Sequence, residues 1–291
     1  MNQYFANTNT WGIILGGSSG IGLATAQKLA AEGMNLIIIH RDRKQTMSAF
    51  QYAVSKMHEN EVEVITYNKN ALLEENRKAI IKKLASNEKI KGNVSFLMHS
   101  ISRGNLKLLA PFKDKKPERP INELQSKIHE QISSIYKVQN SLLSKGDFES
   151  TVYAMALSWY DWVSSALTYQ LFAKNTLLLG LTSEGSAKAW PTYGAVSAAK
   201  STLESLNRSM AVELAPYGIR SNIIQAGVTD TPSLNMIPGS EWLKQNATIR
   251  NPNKRLTQPV DVANVAYLLC REEAHWINGA IIPVDGGERI A

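Results

Sequence analysis

Along most of the chain, short apolar runs alternate with longer amphipathic stretches. Residues 11–15, 35–39, 62–67 and 94–98 are nearly continuous apolar runs, the pattern of strands covered on both faces. Between them, residues 21–32 (closed by Gly33), 45–59 and 72–86 repeat their apolar positions at helical spacing. The second half continues with a long helix over 153–173, a strand over 176–181 and a second long helix over 194–214. A strand over 220–225, a helix over 260–270 and a last strand over 281–284 follow, just ahead of Asp285-Gly286-Gly287. Parallel neighbours need helical crossovers, so this alternation predicts an α/β fold: a doubly wound parallel sheet with helices on both faces. A single domain over residues 1–291 is expected.

Residues 103–150 break the scheme. Their front, Lys113-Asp114-Lys115-Lys116-Pro117-Glu118-Arg119-Pro120, is basic and proline-containing, and a helical pattern over 121–143 follows. A structureless loop of that length does not suit a compact domain. The stretch therefore reads as an insertion with its own helix, either a solvated excursion or an oligomer contact, with a docking surface as the sharper alternative.

Composition narrows the class. Of 291 residues, 44% are hydrophobic and 20% charged, which excludes a mainly disordered or fibrous chain. No apolar run approaches the roughly 20 residues that cross a bilayer. Residues 1–10 are polar and lack a signal-peptide core, so a cytoplasmic location is expected. The single cysteine, Cys270, excludes an intramolecular disulfide framework and a cysteine metal cluster. A formal net charge of +7 suits anionic ligands and does not by itself indicate nucleic acid.

Three motifs carry candidate chemistry. Gly16-Gly17-Ser18-Ser19-Gly20-Ile21-Gly22 joins an expected strand to an expected helix. Glycines there permit a tight turn and close approach to a pyrophosphate, and the helix N-terminus offers free N–H groups. At the end of the second strand stands His40-Arg41-Asp42-Arg43. A basic residue at this place neutralises a 2′-phosphate, whereas an acidic one binds the ribose hydroxyl. Arg41 is the first candidate and Arg43 the second, which favours NADPH over NADH; Asp42 reaching the ribose is the alternative. Finally, Tyr193 precedes Lys200 by seven residues, close to two helical turns, so the two share a face. A neighbouring lysine is expected to lower the tyrosine pKa and suit it to proton donation or oxyanion stabilisation.

Taken together, these motifs resemble those of the short-chain dehydrogenase/reductase family over nearly the whole chain, which implies a Rossmann-type fold. The glycine run matches the family's cofactor loop, with Leu15 where a Thr is usual. Asn70-Ala71 falls at the adenine-contacting pair, residues 226–231 at the cofactor segment after the sixth strand, and Val284-Asp285-Gly286-Gly287 at the C-terminal signature. Most members carry Tyr-x3-Lys, but position 197 is Ser here. The Tyr193-x6-Lys200 spacing and His99-Ser100-Ile101-Ser102 are similar to the enoyl-acyl carrier protein reductases.

That resemblance implies NADPH held by Gly16, Ser18, Ser19, Gly20, Ile21, Gly22, Arg41, Asn70, Ala71, Ser100, Ile101, Lys200, Gly227 and Thr231. It implies hydride transfer to the β-carbon of a trans-2-enoyl thioester, with Tyr193 stabilising the enolate, Ser183 assisting and Lys200 holding the nicotinamide ribose. It further implies an acyl carrier protein as carrier and a homo-oligomer, dimer or tetramer, in which members commonly pair their two long central helices.

Two departures stand out. Ser183 occupies the place where the main enoyl reductases carry a second tyrosine, as in ordinary members or in a less common enoyl reductase branch. Ala156, beside Ser158, stands where ordinary members place a catalytic Asn. The alternative is a carbonyl reductase acting on a 3-oxoacyl thioester or another ketone, which Ser183 favours and Ala156 disfavours.

The remaining features read as packing or surface. Trp159, Tyr160 and Trp162 suggest a helix contact or an oligomer interface. Residues 231–249 resemble the family's substrate cover, with Met236, Ile237, Trp242 and Leu243 as acyl-channel or lid-packing residues. His58, His99, His129 and His275 show no metal-ligand spacing, and no metal is expected.

Overall fold

The structure, a computed structural model, describes residues 3–113, 133, 134, 136 and 141–291. Seven described strands form one sheet: β1 (Trp11–Leu15), β2 (Asn35–His40), β3 (Val64–Asn68), β4 (Val94–His99), β5 (Phe172–Thr182), β6 (Ile219–Ala226) and β7 (Ile281–Val284). Their order is β3-β2-β1-β4-β5-β6-β7 and every adjacent pair is parallel. The described helices are α1 (Gly20–Ala31), α2 (Lys44–His58), α3 (Glu74–Ala85), α4 (Lys145–Val152), α5 (Ser158–Thr168), α6 (Gly194–Glu213), α7 (Pro232–Asn235), α8 (Ser240–Arg250) and α9 (Pro259–Cys270).

Alternate side chains of β1 supply the two halves of the core. Ile13 and Leu15 join a buried cluster with Trp159 and Trp162, and Ile14 joins one with Leu29, Leu36 and Ile38 on the other face. Trp159 reaches its position because Gly180 faces it; a Cβ there would lie 3.0 Å from the indole ring. Tyr160 stays exposed. Strand order reverses between β1 and β4, and the crevice beyond the C-terminal ends of those strands is where open α/β sheets take ligands.

Several boundaries differ from expectation. The first long helix begins at Lys145, eight residues before 153, and ends at Thr168. Ser144 and Asp147 form a capping box that starts it, and Gln170 at φ 55 turns the chain into β5. A π-helical turn, Tyr153–Leu157, joins α4 to α5. β3 starts two residues late, after Glu61 adopts φ 62, and α3 starts at Glu74 because Leu73 is extended.

The expected insertion is not purely a solvated excursion. Its last residues, from Lys145 on, belong to α4. Its first residues dock on the helix pair: Asn105 N donates to Thr151 Oγ1 at 3.0 Å, Lys107 Nζ pairs with Asp147 at 2.9 Å, and Leu109 packs on Gly194. Lys115, Lys116, Arg119, His129 and most of 121–143 lie outside the described residues.

Candidate active site

The parallel sheet brings scattered motifs to one edge. Gly16, Arg41, Asn70, Ser100, Ser183 and Gly227 each lie one to two residues beyond the C-terminal end of β1, β2, β3, β4, β5 and β6 respectively. Gly16 sits at φ +83, and a Cβ there would lie 2.6 Å from Ser100 O; a Cβ on Gly22 would lie 2.3 Å from Gly16 O. The loop is thus folded tightly against both β4 and its own helix. Ser19, the residue before α1, makes no side-chain capping bond, and the first turn of α1 holds no acidic residue. Its N–H groups and positive dipole end suit an anionic diphosphate.

The rest of the crevice is fixed by backbone contacts. Ser100 N donates to Leu15 O at 2.8 Å, and Ile101 packs on the core. Asn70 Oδ1 accepts from Leu72 N at 3.2 Å, while Trp162 Nε1 donates to Ala71 O at 2.9 Å. Gly227 N donates to Val284 O at 3.1 Å. Thr231 accepts from Leu234 N at the start of α7, and its Cγ2 faces Gly20 across the crevice.

At the end of β2, Asp42 is already engaged. Its Oδ2 lies 2.8 Å from His40 Nδ1, and its Oδ1 accepts from Thr46 at 2.9 Å. Partial burial pushes its carboxyl up, but hydrogen bonds from Ser18, Thr46 and His40 outweigh this and leave it lowered. Arg41 and Arg43 are exposed and make no ion pair among the described residues.

Tyr193 immediately precedes α6, and Lys200 lies two turns along it. Ser183 Oγ is 3.4 Å from Tyr193 Oη. The expected lowering of the Tyr193 pKa is not met: burial raises it, with only the Ser183 hydrogen bond acting the other way. The reason is geometric. Lys200 Nζ donates to Leu181 O at 2.7 Å, and the tyrosine ring packs so closely on Gly185 that a Cβ there would lie 2.3 Å from it. Burial brings the Lys200 ammonium down to about 8, opposed by Glu204. Glu204 Oε1 accepts from Thr182 Oγ1 at 2.6 Å.

His99 is buried within reach of the Lys200 charge. Burial, then the charge of Lys200, takes its imidazole down to about 3. Ser158 spends its proton on Ala154 O at 3.0 Å, so its oxygen accepts from His99 Nε2 at 2.9 Å. Ala156 is buried within the π turn, and such turns often occur at functional sites.

Sequence reasoning gave no role to His99, Glu204 or the trio Glu184, Arg250 and Glu288, of which Glu288 is buried. The His-Ser-Ile segment contained His99, and Glu204 stands one helical turn beyond Lys200. In α8, Trp242 stacks on Trp190 at 5.0 Å between ring centroids, while Met236, just after α7, is exposed. Among the described residues no helix is long and apolar enough to cross a membrane, and no cluster of three or more metal-ligating side chains occurs.

Comparison with known proteins adds the lineage. Residues 136–288 match a family described as enoyl-(acyl carrier protein) reductase, and residues 10–123 match the short chain dehydrogenase family. The enoyl-[acyl-carrier-protein] reductase [NADH] FabI of Buchnera aphidicola is 34% identical over 52% of this chain and 57% of its own. The chain therefore spans about half the length of such curated relatives. The 3-oxoacyl-[acyl-carrier-protein] reductase MabA of Mycobacterium bovis is 23% identical over 94% of this chain and 91% of its own. The crystal structure of the Aquifex aeolicus enoyl-[acyl-carrier-protein] reductase (NADH) superposes with a TM-score of 0.74 at 22% identity, covering 97% of each chain.

Proposed function

The chain belongs to the short-chain dehydrogenase/reductase family, and from that premise we propose that it is an NADPH-dependent reductase of the carbon–carbon double bond of a trans-2-enoyl thioester. The observation that carries this reading is the Tyr193–Lys200 pair, seven residues apart along α6 with Ala156 in the π turn where ordinary members place an Asn, on the sheet edge that also holds the glycine loop.

In this reading the loop and the first turn of α1 hold the diphosphate, and Arg41, with Arg43, holds the 2′-phosphate. Asn70 and Ala71 border the adenine. Ser100, Ile101, Gly227 and Thr231 line the nicotinamide half, and Lys200 takes the ribose hydroxyls. The reduced nicotinamide, when bound, supplies the hydride. Tyr193 keeps its proton at neutral pH because burial raises its pKa. It therefore acts as a hydrogen-bond donor to the thioester oxygen, where negative charge develops, and Ser183 provides a second hydroxyl. Lys200, brought to about 8, is still mostly charged at neutral pH and adds positive field. Neutral His99 beside it adds no competing charge.

The FabI relative is named for NADH, so the choice of NADPH rests on Arg41 and on the engagement of Asp42. An acyl carrier protein is the expected carrier, and a cytoplasmic homo-oligomer the expected form. The second reading, reduction of a 3-oxoacyl thioester, is favoured by a serine rather than a second tyrosine at 183.

One assay separates them: NADPH oxidation with an enoyl and a 3-oxoacyl thioester side by side, with product mass determined. Enoyl-selective consumption with a saturated product supports the first reading. Consumption with the 3-oxo substrate alone moves the protein to the ketoreductases.

A further inference from the structure

Three segments bordering the site meet at one guanidinium. Arg250 closes α8 in the cover, and its Nη2 donates to Glu288 Oε1 at 2.9 Å and to Glu184 Oε2 at 3.3 Å. Glu184 directly follows Ser183. Glu288 is 1% exposed, and its second oxygen accepts from Val228 N at 3.1 Å, inside the 226–231 segment. Lys188 Nζ reaches the same Glu184 oxygen at 3.1 Å from the outside. Arg250 thus stands between two carboxylates, one of them sealed from solvent.

A second fastening lies on the same helix. Trp242 stacks on Trp190 at 5.0 Å with the rings tilted by 39°. Trp190 O in turn accepts from Tyr193 N at 3.1 Å. Both attachments of α8 land on the stretch 184–193, one just after Ser183 and the other just before Tyr193. An exposed ion pair would add little. A guanidinium paired with a sealed carboxylate is different, because its removal leaves Glu288 buried without its ion-pair partner.

We propose that Arg250 is a positioning residue that locks α8 onto the segment carrying Ser183 and leading to Tyr193, and so sets where those hydroxyls meet the acyl substrate. The proposal rests on the reading of Ser183 and Tyr193 given above. Arg250 acts through Glu184. The hold of Glu288 on Val228 N does not pass through Arg250, so cofactor affinity is separable from the latch.

The test compares Arg250→Gln with Arg250→Lys, and adds Glu184→Gln as a milder route to the same break should the first variant fold poorly. Arg250→Gln is expected to leave the NADPH titration unchanged while kcat/KM for the acyl thioester falls on the order of 10- to 100-fold, the scale of a misplacement of about 1 Å. Arg250→Lys recovers most of that loss, and Glu184→Gln falls between. Two readouts need no turnover. The near-UV dichroism of the Trp190–Trp242 pair weakens in Arg250→Gln, and trypsin cuts faster after Lys244 or Lys254. Unchanged dichroism and proteolysis in both break variants overturn the latch, as does cofactor affinity falling in step with turnover. If the wild type reduces no acyl thioester, the functional reading fails alone, and dichroism and proteolysis still decide the latch.

Discussion

Tyr193 is held by packing more than by charge. Its ring fills the space that Gly185 leaves open, and it packs against the buried cluster of Ala154, Met155, Val196 and Ala199. Burial then keeps its proton in place. A hydroxyl that stays protonated stabilises a developing oxyanion by donating to it, and removing one such donor typically costs about 10²–10³ in rate. Tyr193→Phe should lose turnover on that scale while cofactor binding, followed by fluorescence titration, is retained. Turnover at the wild-type rate would take Tyr193 out of the chemistry. Arg41 tests the other end of the crevice. With Asp42 tied to His40 and Thr46, the exposed guanidinium is the group that the proposed function assigns to a 2′-phosphate. Arg41→Ala should weaken NADPH binding and leave NADH nearly unchanged; an equal loss for both would remove the phosphate assignment.

The elements differ in how much the sequence disclosed. Helix α6 was legible because its apolar positions keep one period for 20 residues, and β1, β2 and β4 because strands buried on both faces are unbroken apolar runs. The start of α4 was not, because its residues are mostly polar; its one signal was Ser144-Lys145-Gly146-Asp147, the capping box itself. The π turn leaves no period to read. Among site residues, those of the glycine loop, Tyr193 and Lys200 are local motifs. Glu184, Arg250 and Glu288 are separated by 66 and 38 positions, and only the fold brings them together. Within the loop, Gly22 gives the sharpest test. A Cβ there would stand 2.3 Å from Gly16 O, so α1 must shift against β1. Gly22→Ala should cost about 1–3 kcal/mol, the usual scale of overpacking, seen as a lower unfolding midpoint, and should weaken cofactor binding together with it. An unchanged midpoint with normal binding would mean that the loop tolerates a side chain and is not shaped by contact.

At the scale of the whole molecule, His99 links the edge that holds the candidate site to global stability. It closes β4, the strand beside the switch in strand order, and contacts the π turn and α5 through Ser158. Its imidazole is lowered from 6.5 to about 3, first by burial and then by Lys200. As pH falls below 6.5, the unfolded chain takes up a proton that the folded chain refuses until about 3. Stability therefore declines across that window, by at most about 1.4 kcal/mol per pH unit once the difference reaches one proton. The lowered carboxyls add a separate loss at more acid pH: Asp147, taken to about 2 by Lys107 and Ser144, stabilises above its ordinary 3.8 and loses that contribution below it. Glu288, raised by burial, works in the opposite direction. Between about pH 6.5 and pH 5 the histidine should dominate. His99→Gln keeps a donor for Ser158 and removes the titration. Denaturant unfolding at about pH 7 and about pH 5 should then show a clear fall for the wild type and a much flatter dependence for the variant. Parallel losses in the two proteins would mean that the acid sensitivity lies in the carboxylates, and that the imidazole is protonated in the folded state after all.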